Sequence, residues 1–280
     1  MSVVSSSVDL AARRTGRPPV AAWAMVGDLL RHRSLVVALL VRQLQARYRG
    51  SILGFVWTFL NPLLLMAVYA LVFRYFMRIA VPNYALFLLA GLLPWTWFGS
   101  SLAEGTNSIV GGSSLVTKSL FPTEILPTVV VLSNMVNFVL SIPLLLVASA
   151  LYGIPLNPLL WLAIVPVVLL ELVFTTGVVL ALSALNVHYR DVQHIVANAL
   201  LLWFFLTPIV YPVSQVPEWM RAFFLANPLA LMVESYQSIF VSGAPPGLDS
   251  LVTLALYAGA SFVVGARIFD GYRDTFAELV

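Results

Sequence analysis

The chain has no cysteine among its 280 residues, and only 10% of its residues are charged. The missing cysteines exclude disulfides, thiolate metal sites and cysteine nucleophiles. An average soluble domain is about 25% charged and less than half apolar, whereas this chain is 60% hydrophobic and has a mean hydropathy of +0.95. The shortage of charge therefore argues against an ordinary soluble domain and indicates a membrane protein.

Charge-poor windows long enough to cross a bilayer recur along the sequence. A spanning helix needs roughly 20 mainly apolar residues to cross about 30 Å of hydrocarbon. The sequence predicts an all-α integral membrane protein with six spans, at 52–73, 84–103, 125–151, 159–185, 193–211 and 248–266. Residues 213–243 are apolar but interrupted by Pro217 and Pro228. We expect short re-entrant external helices there, because irregular backbone at membrane depth needs protein or water around it.

Two regions precede the first predicted span. The first 20 residues of the region 1–24 are largely polar and carry an arginine pair, but no apolar segment follows directly. We expect a cytoplasmic tail there, not a cleaved or twin-arginine signal. Residues 25–49 interleave apolar residues with arginines, and their longest apolar run, 35–41, is too short to span. This pattern predicts an amphipathic helix lying in the headgroup plane or against a soluble partner, ahead of a transmembrane domain over 50–280.

Lysine and arginine residues set the predicted orientation. With both termini cytoplasmic, all of these residues except Arg74, Arg78 and Arg221 lie on the cytoplasmic side. That is the side on which membrane-protein loops carry excess positive charge. The formal charge of +3 is explained by this topology, and we expect no nucleic-acid partner.

A near match to a nucleotide-binding motif lies between the second and third predicted spans. From Gly112 the sequence reads G-S-S-L-V-T-K-S, one residue away from the phosphate-binding pattern G-x-x-x-x-G-K-[ST]. Thr117 replaces the second glycine, no buried strand precedes the segment, and Pro122 interrupts the helix that should follow it. Because backbone N–H groups then cannot turn toward a phosphate, we expect this chain to bind no nucleotide.

The same segment has features of a docking element. Leu115 and Phe121 would supply apolar contacts, and Lys118 and Glu124 would face a polar surface. Exposed apolar residues in a loop of this kind indicate a contact with another protein.

Several stretches, in this order along nearly the whole chain, resemble the membrane subunit of ABC-2 type exporters of lipid-linked O-antigen, capsule or teichoic acid. They are R-Q-L-Q-A-R-Y-R-G-S-I-L-G-F-V-W-T-F-L-N-P-L from Arg42, L-V-T-K-S-L-F-P-T-E-I-L-P from Leu115, N-V-H-Y-R-D-V from Asn186, T-P-I-V-Y-P from Thr207 and N-P-L from Asn227. The resemblance implies a six-span subunit that forms a homodimer in the bacterial inner membrane. It also implies two copies of a separate ATPase, which binds the ATP and magnesium, and a polyprenyl-diphosphate-linked glycan as substrate.

The resemblance assigns expected roles to particular residues. The coupling segment, which would contact the ATPase, comprises Leu115, Lys118, Ser119, Phe121, Pro122 and Glu124. The interface helix and the lipid-phosphate contact comprise Arg42, Arg47, Tyr48, Arg49 and Arg190.

Aromatic side chains are candidates for the wall of a polysaccharide channel, because sugars pack on aromatic faces, whereas a small-ion path needs rings of charge. The candidates are Trp95, Trp97, Phe98, Trp203, Phe204 and Tyr211. The alternative is that they are anchors, since tryptophan and tyrosine also collect at membrane interfaces.

Glu171 is the one acidic residue near the middle of a predicted span. Such a residue costs about 2.5–3.5 kcal/mol on insertion scales, and we expect its carboxyl group to be protonated or hydrogen-bonded between helices. His188 and His194 are not expected to bind a metal, because two ligands six residues apart with one flanking acid do not complete a site.

Two other function classes remain as alternatives. A proton-coupled carrier is supported only by Glu171, which lacks a basic partner within a span. A membrane enzyme acting on lipid-linked sugars would need clustered acids at one membrane face, and the acids of this chain are scattered.

Overall fold

The computed structural model describes residues 22–78, 81–118, 122–155, 160 and 162–280. Every regular element within those residues is helical, which confirms the all-α membrane fold. The α-helices are α1 (Ala22–Arg31), α2 (Arg33–Tyr48), α3 (Trp57–Tyr69), α4 (Tyr84–Thr106), α5 (Ser108–Gly111), α6 (Ser113–Lys118), α7 (Ile125–Leu151), α8 (Ile164–His188), α9 (Val192–Phe205), α10 (Glu218–Leu225), α11 (Pro228–Val241), α12 (Leu248–Tyr272) and α13 (Phe276–Leu279). A π-helix, Ala70–Phe76, continues α3, and 3₁₀ turns cover Gly54–Val56, Val213–Gln215 and Arg273–Thr275. Most of the predicted tail, residues 1–21, lies outside the described residues.

Among the described residues, five helices are long and apolar enough to cross a membrane. They are the first span (Trp57–Phe76), the second span (α4), the third span (α7), the fourth span (α8) and the last span (α12).

The remaining predicted span, 193–211, is shorter than expected. Its helix α9 has 14 residues and is about 21 Å long at 1.5 Å per residue, less than the roughly 30 Å of hydrocarbon. Pro208 gives the physical reason, because a proline disfavours helical backbone at the residue before it, here Thr207.

The predicted amphipathic helix over 25–49 is two helices. They meet at His32, whose backbone angles (φ −97°, ψ 25°) leave the helical range and whose Nδ1 lies 2.9 Å from the carbonyl oxygen of Asp28. The structure describes all of α2, and none of its residues is buried. Val37 and Val41 are 56% and 44% exposed, so the apolar side chains of α2 are open to lipid or to another protein.

The fourth and last spans approach each other so closely that their backbones touch. A Cβ on Gly265 of α12 would overlap the carbonyl oxygen of Gly177 on α8. Nearby, Ser261 Oγ donates a hydrogen bond of 2.9 Å to the carbonyl oxygen of Phe174. Small residues at a crossing let two backbones approach closely. The second and third spans pack on this pair through two buried apolar clusters, one containing Trp97 and the other Phe98. These four spans are called the body below.

The segment predicted as external re-entrant helices is partly built into the body. Asn227 Oδ1 accepts a hydrogen bond of 3.1 Å from the backbone N–H of Leu229, and Pro228 occupies the first turn, an arrangement that favours a helix start. The helix that follows, α11, packs on the second span, and its Tyr236 is fully buried. The preceding helix α10 leaves Trp219 and Phe223 exposed.

The first span is the least packed of the five. The structure describes it completely, and Pro62 is its only buried residue. Toward the C-terminal end of this span, Tyr69 stacks on Phe204 of α9 with 5.4 Å between ring centroids. The N-terminal end of the span, next to α2, is separated from the body by a cleft.

Candidate functional site

A cleft of about 340 Å³ lies between the first span and the second and third spans. Polar residues three or four positions apart share one face of a helix, so each of the three helices presents a polar stripe to this space. The stripes are Thr58 and Asn61 on α3, Thr96 and Ser100 on α4, and Asn134, Asn137 and Ser141 on α7. Uncharged hydroxyl and amide groups are costly at membrane depth unless they are hydrogen-bonded. The cleft is therefore the candidate functional site.

An arginine network closes the end of the cleft next to α2. Arg47 Nη2 donates to both carboxylate oxygens of Glu104 at 2.7 Å each, and Arg47 Nη1 donates to Asn134 Oδ1 at 2.9 Å. The Arg47 and Glu104 side chains are 28% and 42% exposed. A pair this exposed contributes at most about 1 kcal/mol to stability, so its main effect is to hold the end of α2 against α4 and α7.

A second set of contacts joins α2, the first span and the third span. The hydroxyl group of Tyr48 donates to Asn137 Oδ1 at 2.9 Å and lies 2.6 Å from Thr58 Oγ1. The amide nitrogen Nδ2 of Asn137 is buried and has no hydrogen-bond partner among the described residues. A buried donor without a partner carries a desolvation cost, and a ligand in the cleft reaches it only after the side chains around it move.

The sequence analysis missed most of this site. It treated the second and third spans as apolar windows and did not single out Glu104, Asn134 or Asn137. The signal was present in the helical spacing, because polar residues three and four positions apart interrupt otherwise apolar spans.

The structure divides the residues expected to contact a lipid phosphate. Arg47 and Tyr48 belong to the cleft network. The side chains of Arg42, Arg49 and Arg190 are exposed. Their role at a lipid phosphate stays a prediction.

In the coupling segment, the expectation for Glu124 is wrong. We expected it to face a polar surface, but it is 1% exposed, and neither carboxylate oxygen has a hydrogen-bond partner within the described residues. Burial raises the pKa of the Glu124 carboxyl group, and Arg273 partly opposes that rise. The physical reason is that Glu124 directly precedes the third span, where Ile125 is also buried.

The other coupling residues are described only in part. Leu115 and Pro122 are half-buried, while the side chain of Lys118 and the whole of Ser119 and Phe121 lie outside the described residues. A docking role for the segment stays a prediction.

The predicted channel aromatics do not surround one space in this structure. Trp97, Phe98 and Phe204 are 2%, 0% and 6% exposed, because they fill the contacts between helices. Trp97 stacks on Phe138 at 5.2 Å, and Phe98 meets Trp203 edge to face at 5.4 Å. Trp97 nevertheless borders the cleft described above, whereas Phe98 and Phe204 do not line it.

The remaining aromatic candidates also make contacts within the subunit. Trp95 is half-buried and packs edge-on against Phe204 at 5.6 Å. Trp203 Nε1 donates to Asn227 Oδ1 at 3.0 Å, and the Tyr211 hydroxyl group donates to the carbonyl oxygen of Phe205 at 2.6 Å. Their part in a channel wall stays a prediction.

Glu171 is buried and accepts a hydrogen bond of 2.8 Å from the hydroxyl group of Tyr236. The bond joins the fourth span to α11, so the interhelical hydrogen bond expected for this residue is present. It fastens α11 to the body.

Comparison with known proteins matches residues 34–241 to the family described as ABC-2 type transporter. The chain is 44% identical over 259 residues to the O-antigen export system permease protein RfbA of Myxococcus xanthus, covering 91% of this chain and 99% of that protein. A permease protein RfbA of the same description from Klebsiella pneumoniae is 32% identical over 248 residues, which are 88% of this chain and 95% of that protein. The polysialic acid transport protein KpsM of Escherichia coli is 22% identical over 237 residues, covering 84% of this chain and 92% of that protein.

The family match extends from α2 through α11 and includes the whole cleft. With the helical membrane architecture and relatives that align over nearly their full length, the chain belongs to the ABC-2 type transporter family.

Proposed function

We propose that this chain is the channel-forming permease subunit of an ABC exporter that moves lipid-linked polysaccharide across the bacterial inner membrane. Family membership implies a partner ATPase subunit, and the relatives named for O-antigen export support the substrate class. ATP and magnesium would bind to that partner, and this chain would transmit its motion.

The observation that carries the proposal is the chemistry of the cleft. A glycan presents hydroxyl groups that donate and accept hydrogen bonds, and amide and hydroxyl side chains can serve both roles. Asn61 and Thr96 are exposed and line the cleft, and Trp57, which borders the cleft and is 38% exposed, supplies an aromatic face. A lining of this kind suits a neutral sugar polymer better than a small ion, which would require rings of charge.

The lipid-linked end of the substrate needs a cationic contact. Arg42 and Arg49 are exposed at the end of the cleft where α2 lies, and guanidinium groups suit the geometry of a diphosphate. We infer that these arginines, with Arg190 of the loop after the fourth span, contact the diphosphate at the cytoplasmic surface. Both termini would then be cytoplasmic, in agreement with the arginine distribution.

A second copy of the chain would complete the channel. The exposed residues of the first span, among them Leu64, Val68 and Leu71, are open to a second subunit as well as to lipid. We infer a homodimer working with two ATPase copies. ATP binding would press the coupling segments together and move each first span relative to its body, since a ligand shifts an equilibrium only by binding the two states differently.

The test is export by purified components. The chain and its ABC nucleotide-binding subunit are reconstituted in liposomes with a fluorescent polyprenyl-diphosphate-linked glycan, and transfer of the glycan is followed after ATP is added. We expect ATP-dependent transfer that persists when a protonophore removes any proton gradient. Transfer that needs the gradient but not ATP would establish the proton-coupled carrier, and chemical change of the glycan would establish an enzyme.

Variants of the cleft make this test specific. Asn137→Leu removes the amide that accepts the hydrogen bond of Tyr48, and Asn61→Leu removes a polar group from the facing helix. Each should lower export about tenfold, which corresponds to about 1.4 kcal/mol. The matched control is Leu65→Ile on the exposed side of the same first span, which should export at the normal rate. If both cleft variants export at the normal rate, the glycan does not pass through the cleft.

A further inference from the structure

The end of the chain is anchored in the region that carries the coupling segment. Phe276 is fully buried and meets Phe269 edge to face at 5.2 Å. The apolar cluster around these two rings also contains Met25 of α1 and Ile109 and Val116 from the α5–α6 segment. Residues distant in sequence therefore share one core, and α13 packs directly on α6.

A polar anchor fixes the same segment to the loop after the fourth span. Thr275 Oγ1 donates to the carbonyl oxygen of Tyr272 at 2.7 Å and is hydrogen-bonded to His188 Nε2 at 3.1 Å. The His188 and Tyr272 rings also lie 4.5 Å apart. Residues 273–280, called the tail segment, thus connect the coupling segment with residues 186–191.

The outer side of the tail segment is acidic and apolar. Asp274, Ala277, Glu278 and Leu279 are all exposed, and the Leu279 side chain is 50% exposed. This acidic surface differs from the one expected to contact lipid, which has the exposed arginines Arg42, Arg49 and Arg190.

The charge of this side decides which kind of partner fits it. The cytoplasmic leaflet is anionic and attracts basic segments. The tail segment has two exposed acids, and its one basic residue, Arg273, is paired with Asp270 at 3.6 Å, so anionic lipid does not attract this surface. A protein that presents basic side chains around an apolar spot is complementary to it.

We propose that the tail segment and α6 together form one docking surface for the ABC nucleotide-binding subunit, with Asp274 and Glu278 facing basic side chains of that subunit and Leu279 in an apolar pocket between them. The inference rests on the proposed function, because it names a second contact for the same partner. It makes the docking surface a composite of segments far apart in sequence, which the buried Phe276 and the His188–Thr275 hydrogen bond hold in register.

The test measures the affinity of the purified cognate nucleotide-binding subunit for the full-length chain in lipid nanodiscs. D274K/E278K should raise the dissociation constant about tenfold or more at 0.1 M salt. The difference should shrink at 1 M salt, because the screening length falls from about 10 Å to about 3 Å. The matched control E218K/D249K makes the same change at exposed acids near the opposite ends of the spans and should leave the affinity unchanged.

An apolar substitution supplies a second measurement. Leu279→Ala should weaken binding about fivefold at both salt concentrations, as truncation of an apolar interface residue does. Its control is Leu248→Ala, a substitution at an 80% exposed leucine at the far end of the last span. Wild-type affinity in both tail variants overturns the docking proposal.

Two further outcomes have distinct meanings. If the charge reversal changes affinity only when the nanodisc contains phosphatidylglycerol, the tail segment contacts lipid and the docking proposal is wrong. If the wild-type chain binds no nucleotide-binding subunit while the subunit itself hydrolyses ATP, the proposed function fails, and the tail proposal fails with it.

Discussion

The fourth and last spans and the first span differ in how their surfaces are used. The fourth and last spans approach so closely that glycine backbone contacts glycine backbone at Gly177 and Gly265. The first span buries only Pro62, and beside it lies a cleft lined by amide and hydroxyl groups. A close-packed interior has low compressibility and resists small displacements, whereas a sparsely packed helix can move at little cost. The difference indicates a fixed body and a movable wall.

The largest effect should come from filling the glycine contact. Gly265→Ala places a methyl group on the Gly177 carbonyl oxygen. Because that oxygen belongs to the backbone and cannot rotate away as a side chain would, we expect the free energy of unfolding to fall by about 3 kcal/mol, the upper end for overpacking. Thermal unfolding of the purified chain measures it. Gly259→Ala on the same helix meets no atom within 4 Å and should be neutral or slightly stabilising. Equal stability of the two variants would contradict a close-packed body.

Removing the hydrogen bond between the fourth span and α11 should have an intermediate effect. Glu171→Ala leaves the buried Tyr236 hydroxyl group without its acceptor, which costs about 1–3 kcal/mol. Glu171→Gln keeps an acceptor in the same place and should retain most of the stability. Unfolding temperature is again the measurement, and a larger loss in the Gln variant than in the Ala variant would show that the hydrogen bond is not what Glu171 contributes.

At the cleft, function should change more than stability. Arg47→Ala removes a partly exposed ion pair, so we expect less than about 1 kcal/mol of destabilisation together with about a tenfold loss of export. Arg47→Lys keeps the charge but not the forked geometry. Its export rate should lie between those of the wild type and Arg47→Ala. If Arg47→Ala exports at the wild-type rate, the arginine network has no role in transport.

The smallest expected effect is a pH dependence at Glu124. Burial raises the pKa of its carboxyl group in the folded chain above the unfolded value of about 4.3. The folded state then holds a proton that the unfolded state has lost, so stability falls as pH rises from about 4.3 through the folded pKa and is constant above it. Glu124→Gln should remove this slope and exceed the wild type in stability at pH 8 but not at pH 4. If the difference in stability between the wild type and Glu124→Gln is the same at pH 4 and pH 8, the explanation is excluded.

Sequence reasoning succeeded where one signal dominated. Long apolar windows define the spans, and Pro228, one of the prolines expected to interrupt residues 213–243, begins a helix. It failed where the outcome depended on which side of a helix meets a neighbour. Glu124 and Phe98 are as polar or as aromatic as expected, yet both are buried, and nothing in their local sequence states what packs on them.

The cleft was missed for a related reason. Asn134 and Asn137 have the spacing of one helix face within an apolar window, but they become a site only when Arg47, Tyr48 and Glu104 reach them from other helices. Such long-range partners follow from tertiary packing and cannot be derived from spacing along one span.

The central claim is that the first span moves against a fixed body when the partner ATPase binds ATP. Because the chain lacks cysteine, spin labels can be placed at chosen pairs without background. One pair joins Leu65 of the first span to Val165 of the fourth, and a control pair joins Val165 to Val252 of the last span. The measurement is the distance distribution within one subunit, with labelled chain diluted in unlabelled chain, before and after ATP is trapped on the ATPase. We expect the first pair to shift by several ångström while the control pair does not change. A shift in the control pair, or none in the first pair, would contradict the account.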